Sequence, residues 1–363
     1  MIKVGSDFSG VGAFNQALIR LGIEYKEIFA CDMDKYARQT FIHNYGEPEY
    51  YPTNVYEREI PEESLDIYMT SPPCQAFSLA GKRLGKDDKR GILFFNSYEF
   101  IQQNKPRYFI FENVKGLLSD DNGRTFQEWV NMLGGKSVNG VPVLFPYDDA
   151  VPYHLYWKVL NAKEHGVPQN RERVFLIGIR DDKDNNFRFP IEEHLNKRLK
   201  DVLEDEVDDK YFLSEKMIDC LQNYESDKFQ VNTQMINNTD LARSLRTEMA
   251  KMGRQDNYIK IKSNTLKGYE EATEGDSINF SVPNSETRRG RVGKGVAQTL
   301  DTSCNQGILM EDRIRRLTPR ECFRLMDFPD TFTWFVSDSQ AYKQAGNSIV
   351  VNVLYKILKN LNL

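Results

Sequence analysis

One cysteine stands apart by its setting. Ser71-Pro72-Pro73-Cys74-Gln75-Ala76-Phe77-Ser78 follows the run Leu65-Asp66-Ile67-Tyr68-Met69-Thr70. That run reads as a buried strand, so the thiol arrives at a strand's carboxyl end. The two prolines fix φ and push the residue before each towards extended backbone, which makes the turn stiff. A cysteine beside a proline turn can also be an ordinary buried structural residue. What favours chemistry is its company. Glu112-Asn113-Val114 closes a second apolar run, and Gln169-Asn170-Arg171-Glu172-Arg173 precedes a third. An acid ending an apolar strand costs desolvation energy unless it has a partner or work to do. Arg171 and Arg173 alternate, so a strand would aim both to one side; a row of surface cations is the alternative. A thiolate, a proton-handling acid and nearby cations form a set suited to covalent catalysis.

These residues need strands and turns to hold them. Ile2–Ser6 reads as a first strand, ending in Phe8-Ser9-Gly10-Val11-Gly12-Ala13, with a helix through Asn15–Leu21 behind it. Strand, glycine turn and helix is the dinucleotide-fold arrangement, where glycines let a ligand approach the backbone. Alone, such a turn is often a plain connection. A second strand, Tyr25–Ala30, ends in Cys31-Asp32-Met33-Asp34. An acid about twenty positions past the glycines is placed to accept hydrogen bonds from ribose hydroxyls. Asp34 is expected to cap a helix over Lys35–Phe41.

Further along, the spacing predicts a helix over Phe94–Asn104, a central strand over Arg107–Asn113 and an irregular excursion over Gly134–Pro152. Strands at Tyr153–Leu160 and Arg173–Ile179 should form a hairpin finishing the sheet. From about Phe189 to Asp312 the periodicity weakens. Arg315–Met326 reads as a capped helix. Ala345, Ile349, Val353 and Ile357 mark one face of a last helix that should dock on the N-terminal sheet.

The chain has 363 residues, 40% hydrophobic and 28% charged, which suits a packed, soluble α/β protein of one large or two ordinary domains. No apolar run approaches a membrane span, and the N-terminus leads straight into a strand without signal-peptide form. Five scattered cysteines and four histidines at no ligand spacing suggest reduced thiols in a cytoplasm and no metal site. The net charge of −5 argues at first against nucleic acid, but local charge matters more than the sum. Base gathers at Lys82-Arg83, Lys86 and Lys89-Arg90, and again at Arg288-Arg289-Gly290-Arg291-Val292-Gly293-Lys294. Either cluster could instead be a solvated loop.

Taken in order, Phe8-Ser9-Gly10-Val11-Gly12, the Pro-Pro-Cys74 turn, Glu112-Asn113-Val114, Gln169 to Arg173 and Gly346-Asn347-Ser348 resemble the DNA (cytosine-5) methyltransferases of prokaryotic or phage type, over most of the chain. The resemblance implies a Rossmann-like doubly wound mixed sheet, built from residues 1–188 and 339–363, with a smaller target-recognition domain over 189–338. It implies S-adenosylmethionine as cofactor and double-stranded DNA as partner, for a monomer in a prokaryotic cytoplasm at the nucleoid. Cys74 would be the nucleophile, Glu112 would bond the cytosine N3 and amino group, Arg173 would contact the base, and Arg171 would support the loop or DNA. Phe8, Gly10, Gly12, Asp32, Met33, Asn54, Val55, Pro72, Asn347 and Ser348 would line the cofactor site. Lys82, Arg83 and Lys86 would belong to a loop closing over DNA, and Arg288, Arg289 and Arg291 to the recognition region, with at least one of the three reading a base.

Two departures stand out. Many relatives read Asp-Leu-Phe-x-Gly-x-Gly-Gly; here the leading acid is displaced by one position, to Asp7, and the last glycine is Ala13. Relatives also often place Asp where Asn54 stands. Rival readings are a tRNA cytosine methyltransferase, a catalytically silent regulator of the same fold, and a dehydrogenase suggested by the glycine turn alone.

Overall fold

A computed structural model describes residues 1–73, 92–180, 186–214, 216–218, 259–283, 285, 287–310, 313–361 and 363. Cys74, Lys82, Arg83 and Lys86 lie outside the described residues.

The strands β1 (Ile2–Asp7), β2 (Tyr25–Cys31), β3 (Ile67–Thr70) and β4 (Tyr108–Val114) pair in parallel, in the order β2-β1-β3-β4. β9 (Glu172–Ile179) runs antiparallel to β4, and β7 (His154–Asn161) antiparallel to β9. The expected finishing hairpin is therefore present, with its second strand inserted next to β4. β5 (Ser137–Val138) and β6 (Val141–Pro142) extend the sheet to eight strands. The excursion over 134–152 thus contributes edge pairing; two-residue strands carry too little alternation to announce themselves in a sequence.

Side chains of the central strands sort by parity. Ile67, Met69, Tyr108 and Ile110 join one apolar cluster; Tyr68, Phe109 and Phe111 join another. This is the period of two expected when both faces of a sheet are covered. α1 (Ala13–Leu21) and the C-terminal helix Val351–Lys359 cover the first face, through Ala17, Leu18, Val353, Leu354 and Ile357. α3 (Ile92–Asn104) and α4 (Arg124–Leu133) cover the second, where Phe94 stacks on Trp129 with ring centroids 4.1 Å apart. α2 (Lys35–Tyr45) begins at Asp34, whose carboxylate accepts from the Tyr36 and Ala37 amides as a cap should.

The parallel register aligns the ends of these strands. Cys31, Asp7, Thr70 and Phe111 lie in one row across β2, β1, β3 and β4. The residues that follow are Asp32, Phe8, Ser71 and Glu112. Every candidate turn in the first half of the chain therefore leaves the sheet at one edge, the carboxyl edge at which open α/β sheets bind ligands.

Two helix expectations need correction. Arg313–Arg316 is a strand, β16, and the helix α5 covers only Pro319–Leu325. Thr318 and Glu321 form a capping box that starts it there, with proline at the first helical position. The C-terminal apolar face is split between α6 (Asp338–Asn347) and α7 (Val351–Lys359), because Ser348 and Val350 are extended. Tertiary bonds hold the break: the Val351 amide donates to Met326 O, and the Gly346 and Ser348 carbonyls accept from Arg171.

Beyond the large sheet, β12 (Ser277–Asn279), β13 (Val292–Gly293), β15 (Gln306–Met310) and β16 form a four-stranded sheet in the order β13-β12-β15-β16. β10 (Ile259–Lys262) and β11 (Tyr269–Ala272) pair beside it. Ile261, Ala272, Ile278, Leu309 and Ile314 make up their own small core.

Candidate active site

Glu112 is the penultimate paired residue but one of β4, and Arg173 opens the pairing of β9, opposite Val114. The two are diagonal neighbours across an antiparallel pair, within reach of long side chains. Arg173 Nε lies 3.2 Å from Glu112 Oε1, and both side chains are mostly covered. Burial pushes the Glu112 carboxyl above its ordinary range, opposed by Arg173 and then Arg171. A carboxyl held in that balance can accept a hydrogen bond as an anion or give a proton as an acid. Arg173 Nη1 also donates to its neighbour's carbonyl, Glu172 O, at 2.7 Å.

The segment that precedes Cys74 is anchored from β4 at Pro72. Asn113 Nδ2 donates to Pro72 O at 3.1 Å, and Pro72 is buried. Asn113 was part of the sequence motif without a role; its position next to Glu112 on a strand, hence on the opposite side, suits it for holding the neighbouring turn rather than facing the pocket.

Arg171 is buried, and its guanidinium reaches no phosphate-accessible surface. Nη1 donates to Leu300 O (3.2 Å), and Nη2 to Gly346 O (2.9 Å) and Ser348 O (2.8 Å). Of the two expected roles, support of the loop or of DNA, these bonds go with loop support, because its donors are turned inward onto carbonyls of the 300 and 346–348 turns. Burial, then repulsion from Arg173, lowers its pKa to about 9.

The glycine turn is built for close approach. Phe8 has φ +58°, Gly10 +55° and Gly12 +84°. Positive φ at an aromatic residue is uncommon and is held by surrounding contacts. A Cβ at Gly10 would meet nothing nearer than Phe8 O at 4.0 Å, so the backbone there faces open space. A Cβ at Gly12 would lie 2.2 Å from the Tyr45 ring. Asp32 sits beside this turn: Oδ2 accepts from the Gly10 amide at 2.7 Å, and Oδ1 from the Asp34 amide at 2.8 Å. Each carboxylate oxygen keeps a lone pair for a further donor. Burial raises the Asp32 pKa, while the Asp34 and Gly10 amides oppose it. Met33 is exposed and Val55 buried. Asn54 Oδ1 accepts from the Tyr56 amide, and Nδ2 donates to Glu57 Oε1.

α6 brings the C-terminal motif to the same edge. Lys343 pairs with Asp34, and Thr40 donates to Gln344 Oε1 at 3.1 Å. Asn347 is exposed and Ser348 buried at the end of this helix. The half-buried Asp32, the open glycine backbone and the exposed Met33 thus lie at one strand edge, and α6 is tied to that edge through Asp34 and Thr40.

In the 259–316 region the three arginines separate. Arg288 is half-buried and Arg289 exposed. Arg291 is fully buried, and its guanidinium donates to Asn279 O, Ser281 O, Val282 O and Pro283 O at 2.7–3.4 Å. It ties down the turn in which Val282 has φ +47°. Arg291 as a DNA-reading residue is thereby corrected; four carbonyls occupy it.

The whole chain now has a counterpart. A family model described as C-5 cytosine-specific DNA methylase matches residues 2–362. The chain belongs to that family. It is 34% identical over 357 residues to the type II methyltransferase M.HhaI of Haemophilus parahaemolyticus, covering 98% of this chain and 92% of that protein. It is 30% identical over 443 residues to the orphan methyltransferase M.SPRI of Bacillus phage SPR, covering 99% and 97%. In fold it is similar to the crystal structures of the Schizosaccharomyces pombe Dnmt2 methyltransferase (TM-score 0.60, 18% identity, 100% of both chains) and Spodoptera frugiperda DNMT2 (TM-score 0.63, 20% identity, 99% of both). Among the described residues no group of three or more His, Cys, Asp and Glu side chains could hold a metal ion, and no helix is long and apolar enough to cross a membrane.

Proposed function

We propose that this C-5 cytosine DNA methyltransferase uses S-adenosylmethionine to methylate a cytosine flipped out of a specific double-stranded DNA sequence, through a covalent adduct with Cys74. The observation that carries the reading is the Glu112–Arg173 pair, set at the carboxyl edge of the sheet beside the Pro72 turn that leads into Cys74.

Carbon 5 of cytosine is too weak a nucleophile to accept a methyl group unaided. Addition of the Cys74 thiolate to carbon 6 makes the ring an enamine and carbon 5 reactive. Glu112 holds N3 and the amino group and shares a proton as charge builds on the ring, and Arg173 keeps that carboxyl oriented and contacts the base. Once carbon 5 carries the methyl group, a general base or water takes its proton and the carbon 6–sulfur bond breaks, which releases the Cys74 thiolate and restores the aromatic ring. The base must leave the helix to reach this edge, at an unstacking cost of a few kcal/mol.

The bound cofactor supplies an electrophilic methyl group. Asp32 would hold its ribose hydroxyls and Met33 its adenine, while Phe8, Gly10, Gly12, Asn54, Val55, Pro72, Asn347 and Ser348 would form the surrounding wall. Residues 1–188 with 339–363 would be the catalytic domain and 189–338 the recognition domain, with Arg288 and Arg289 towards DNA, as would be Lys82, Arg83 and Lys86.

The test is methyl transfer from S-adenosylmethionine carrying a tritiated methyl group to duplex DNA and, in parallel, to tRNA, followed by bisulfite sequencing of the DNA product. Label confined to one cytosine within a recurring DNA sequence is expected. Label in tRNA alone, or in neither, would defeat the reading.

A further inference from the structure

The large sheet and the recognition region meet along one seam, and Arg171 sits in it. β8 (Gln169–Asn170) pairs in parallel with β14 (Ala297–Gln298). Gln169 Oε1 accepts from the Leu300 amide at 3.1 Å, while its Nε2 donates to Leu325 O at 2.7 Å. Thr299 Oγ1 donates to Asn170 O at 2.8 Å. Immediately beyond, Asp301 stiffens its own loop by accepting from the Ser303 and Asn305 amides. That loop rests on α6: a Cβ at Gly346 would lie 2.5 Å from Asp301 O and 2.9 Å from Thr302 N. Displacing residues 301–305 therefore displaces, or is blocked by, the turn at Gly346–Ser348.

Arg171 fastens the two together. One guanidinium holds Leu300 on the recognition side and Gly346 and Ser348 on the cofactor side. Its backbone belongs to the segment that enters β9, two residues before Arg173. As a mere staple it is an expensive choice. The charge is buried, its hydrogen-bond acceptors are neutral carbonyls, and Nε has no acceptor; packing an apolar residue would avoid the cost of burying a cation. A planar fork that needs all three carbonyls in place has a different virtue, since it registers when any one of them moves.

We propose that Arg171 is a positioning residue that couples the seating of the 299–305 loop on DNA to the closing of the Asn347–Ser348 turn on the cofactor. The proposal rests on the functional reading above, which assigns the region holding residues 299–305 to DNA recognition and Asn347 and Ser348 to the cofactor. By thermodynamic reciprocity, DNA then tightens cofactor binding by the factor that cofactor tightens DNA binding, and Arg171 carries part of that factor.

The experiment measures binding of S-adenosylhomocysteine by calorimetry, with and without a duplex bearing the methylated sequence, for the wild-type chain, Arg171→Lys and Gly346→Ala. Lysine keeps the charge but cannot span three carbonyls; alanine at 346 pushes the loop and turn apart with Arg171 intact. In the wild type the duplex should tighten the ligand by about tenfold or more. Both variants should lower that factor to about threefold or less, and with it kcat, while binding without DNA changes less. Equal tightening in the wild type and in a folded Arg171→Lys protein overturns the proposal and leaves the function intact. If Arg171→Lys fails to fold, Gly346→Ala decides alone, and an unchanged factor there overturns it. A wild-type chain that binds the ligand but transfers no methyl group to DNA overturns the functional reading itself, and the coupling with it.

Discussion

Gly10 and Gly12 occupy one turn, both at positive φ, yet they should fail differently when each becomes alanine. At Gly12 two costs add. Left-handed backbone at a residue with a Cβ costs about 1–2 kcal/mol. The new carbon would also lie 2.2 Å from the Tyr45 ring, so the ring must move. Its hydroxyl donates to Gln16 at 3.2 Å and its ring meets Phe41 edge-on at 5.2 Å. Losing the hydrogen bond and part of that packing adds about 1–2 kcal/mol. Gly12→Ala should therefore cost ~2–4 kcal/mol of folding stability. At Gly10 only the backbone cost applies, because the Cβ would project into open space; Gly10→Ala should cost ~1–2 kcal/mol. If the cofactor lies over this turn, however, the methyl group enters its volume, and affinity should fall by about tenfold or more, beyond the stability loss. Urea unfolding gives the first quantity, and calorimetric titration with S-adenosylhomocysteine on protein confirmed as folded gives the second. A Gly10→Ala protein binding the ligand with wild-type affinity would show that the backbone here is no cofactor wall. Equal stability losses at the two glycines would show that the Tyr45 contact does not govern the turn.

Cys74→Ser should abolish turnover and leave S-adenosylhomocysteine binding near normal, because a hydroxyl is a far poorer nucleophile at neutral pH; substantial methylation by this variant removes Cys74 from the mechanism. Asp32→Ala should weaken cofactor binding by about 1–3 kcal/mol through lost charge-assisted hydrogen bonds, with DNA affinity little changed; an unaltered dissociation constant would place the ribose elsewhere. Arg291→Ala should cost ~2–4 kcal/mol of stability by taking the guanidinium from four carbonyls, of which Val282 O keeps the Ser285 amide, whereas exposed Arg289→Ala should spare stability and reduce the salt slope of DNA binding by about one; the reverse pattern would restore Arg291 as a DNA contact. His165 is buried without a hydrogen bond to either ring nitrogen, and burial lowers its pKa from 6.5 to about 4. Its folded pKa is depressed, so the unfolded chain binds the proton first and stability should decline as pH falls from about 6.5 towards 4, by up to ~3 kcal/mol; a His165→Phe protein with the same acid limb in its unfolding midpoint would assign that limb to other groups.

What could be read in advance followed from periodicity and turn chemistry. β4 was legible because Tyr108-Phe109-Ile110-Phe111 is apolar on both faces, as a central parallel strand requires, and an acid at its end then called for an explanation. The Asp34 cap was legible because a short carboxylate before a helical run has one obvious use. The carbonyls that Arg171 holds and the inward setting of Arg291 were not. Sequence reports a guanidinium and its neighbours in the chain, whereas the acceptors that claim each side chain are carbonyls; those of Arg171 lie 129 to 177 positions away. The break between α6 and α7 was hidden for a similar reason. The apolar spacing runs smoothly through Ser348–Val350, whereas the break is held by Arg171 donating to Ser348 O and by the Val351 amide donating to Met326 O.

The displaced acid of the first motif shows how such a departure can be accommodated. A shift of one position in a strand turns a side chain to the opposite face of the sheet. Asp7 accordingly sits in the second face's apolar cluster region, fully buried, in the row of Cys31 and one position before the row of Asp32 and Phe8. There Arg58 Nε reaches Oδ1 at 2.9 Å and Tyr68 Oη reaches Oδ2 at 2.6 Å. Arg58 in turn lies 4.5 Å from the Phe100 ring centroid and 5.6 Å from that of Phe29. Burial pushes the Asp7 carboxyl up, and Arg58 and Tyr68 pull it back. Removing one member of such a buried pair leaves an uncompensated charge, at about 3–5 kcal/mol. The acid at position 7 is thus committed to holding β1, β3 and the 50s turn together directly beneath Phe8. In the position before it, Ser6 is buried and its hydroxyl has no hydrogen-bond partner. With the motif's acid turned into the core, Asp32 is the carboxylate that is bonded to the glycine turn and keeps lone pairs for a further donor. Cofactor affinity should for that reason depend on Asp32 and be insensitive to the identity of the residue at position 6.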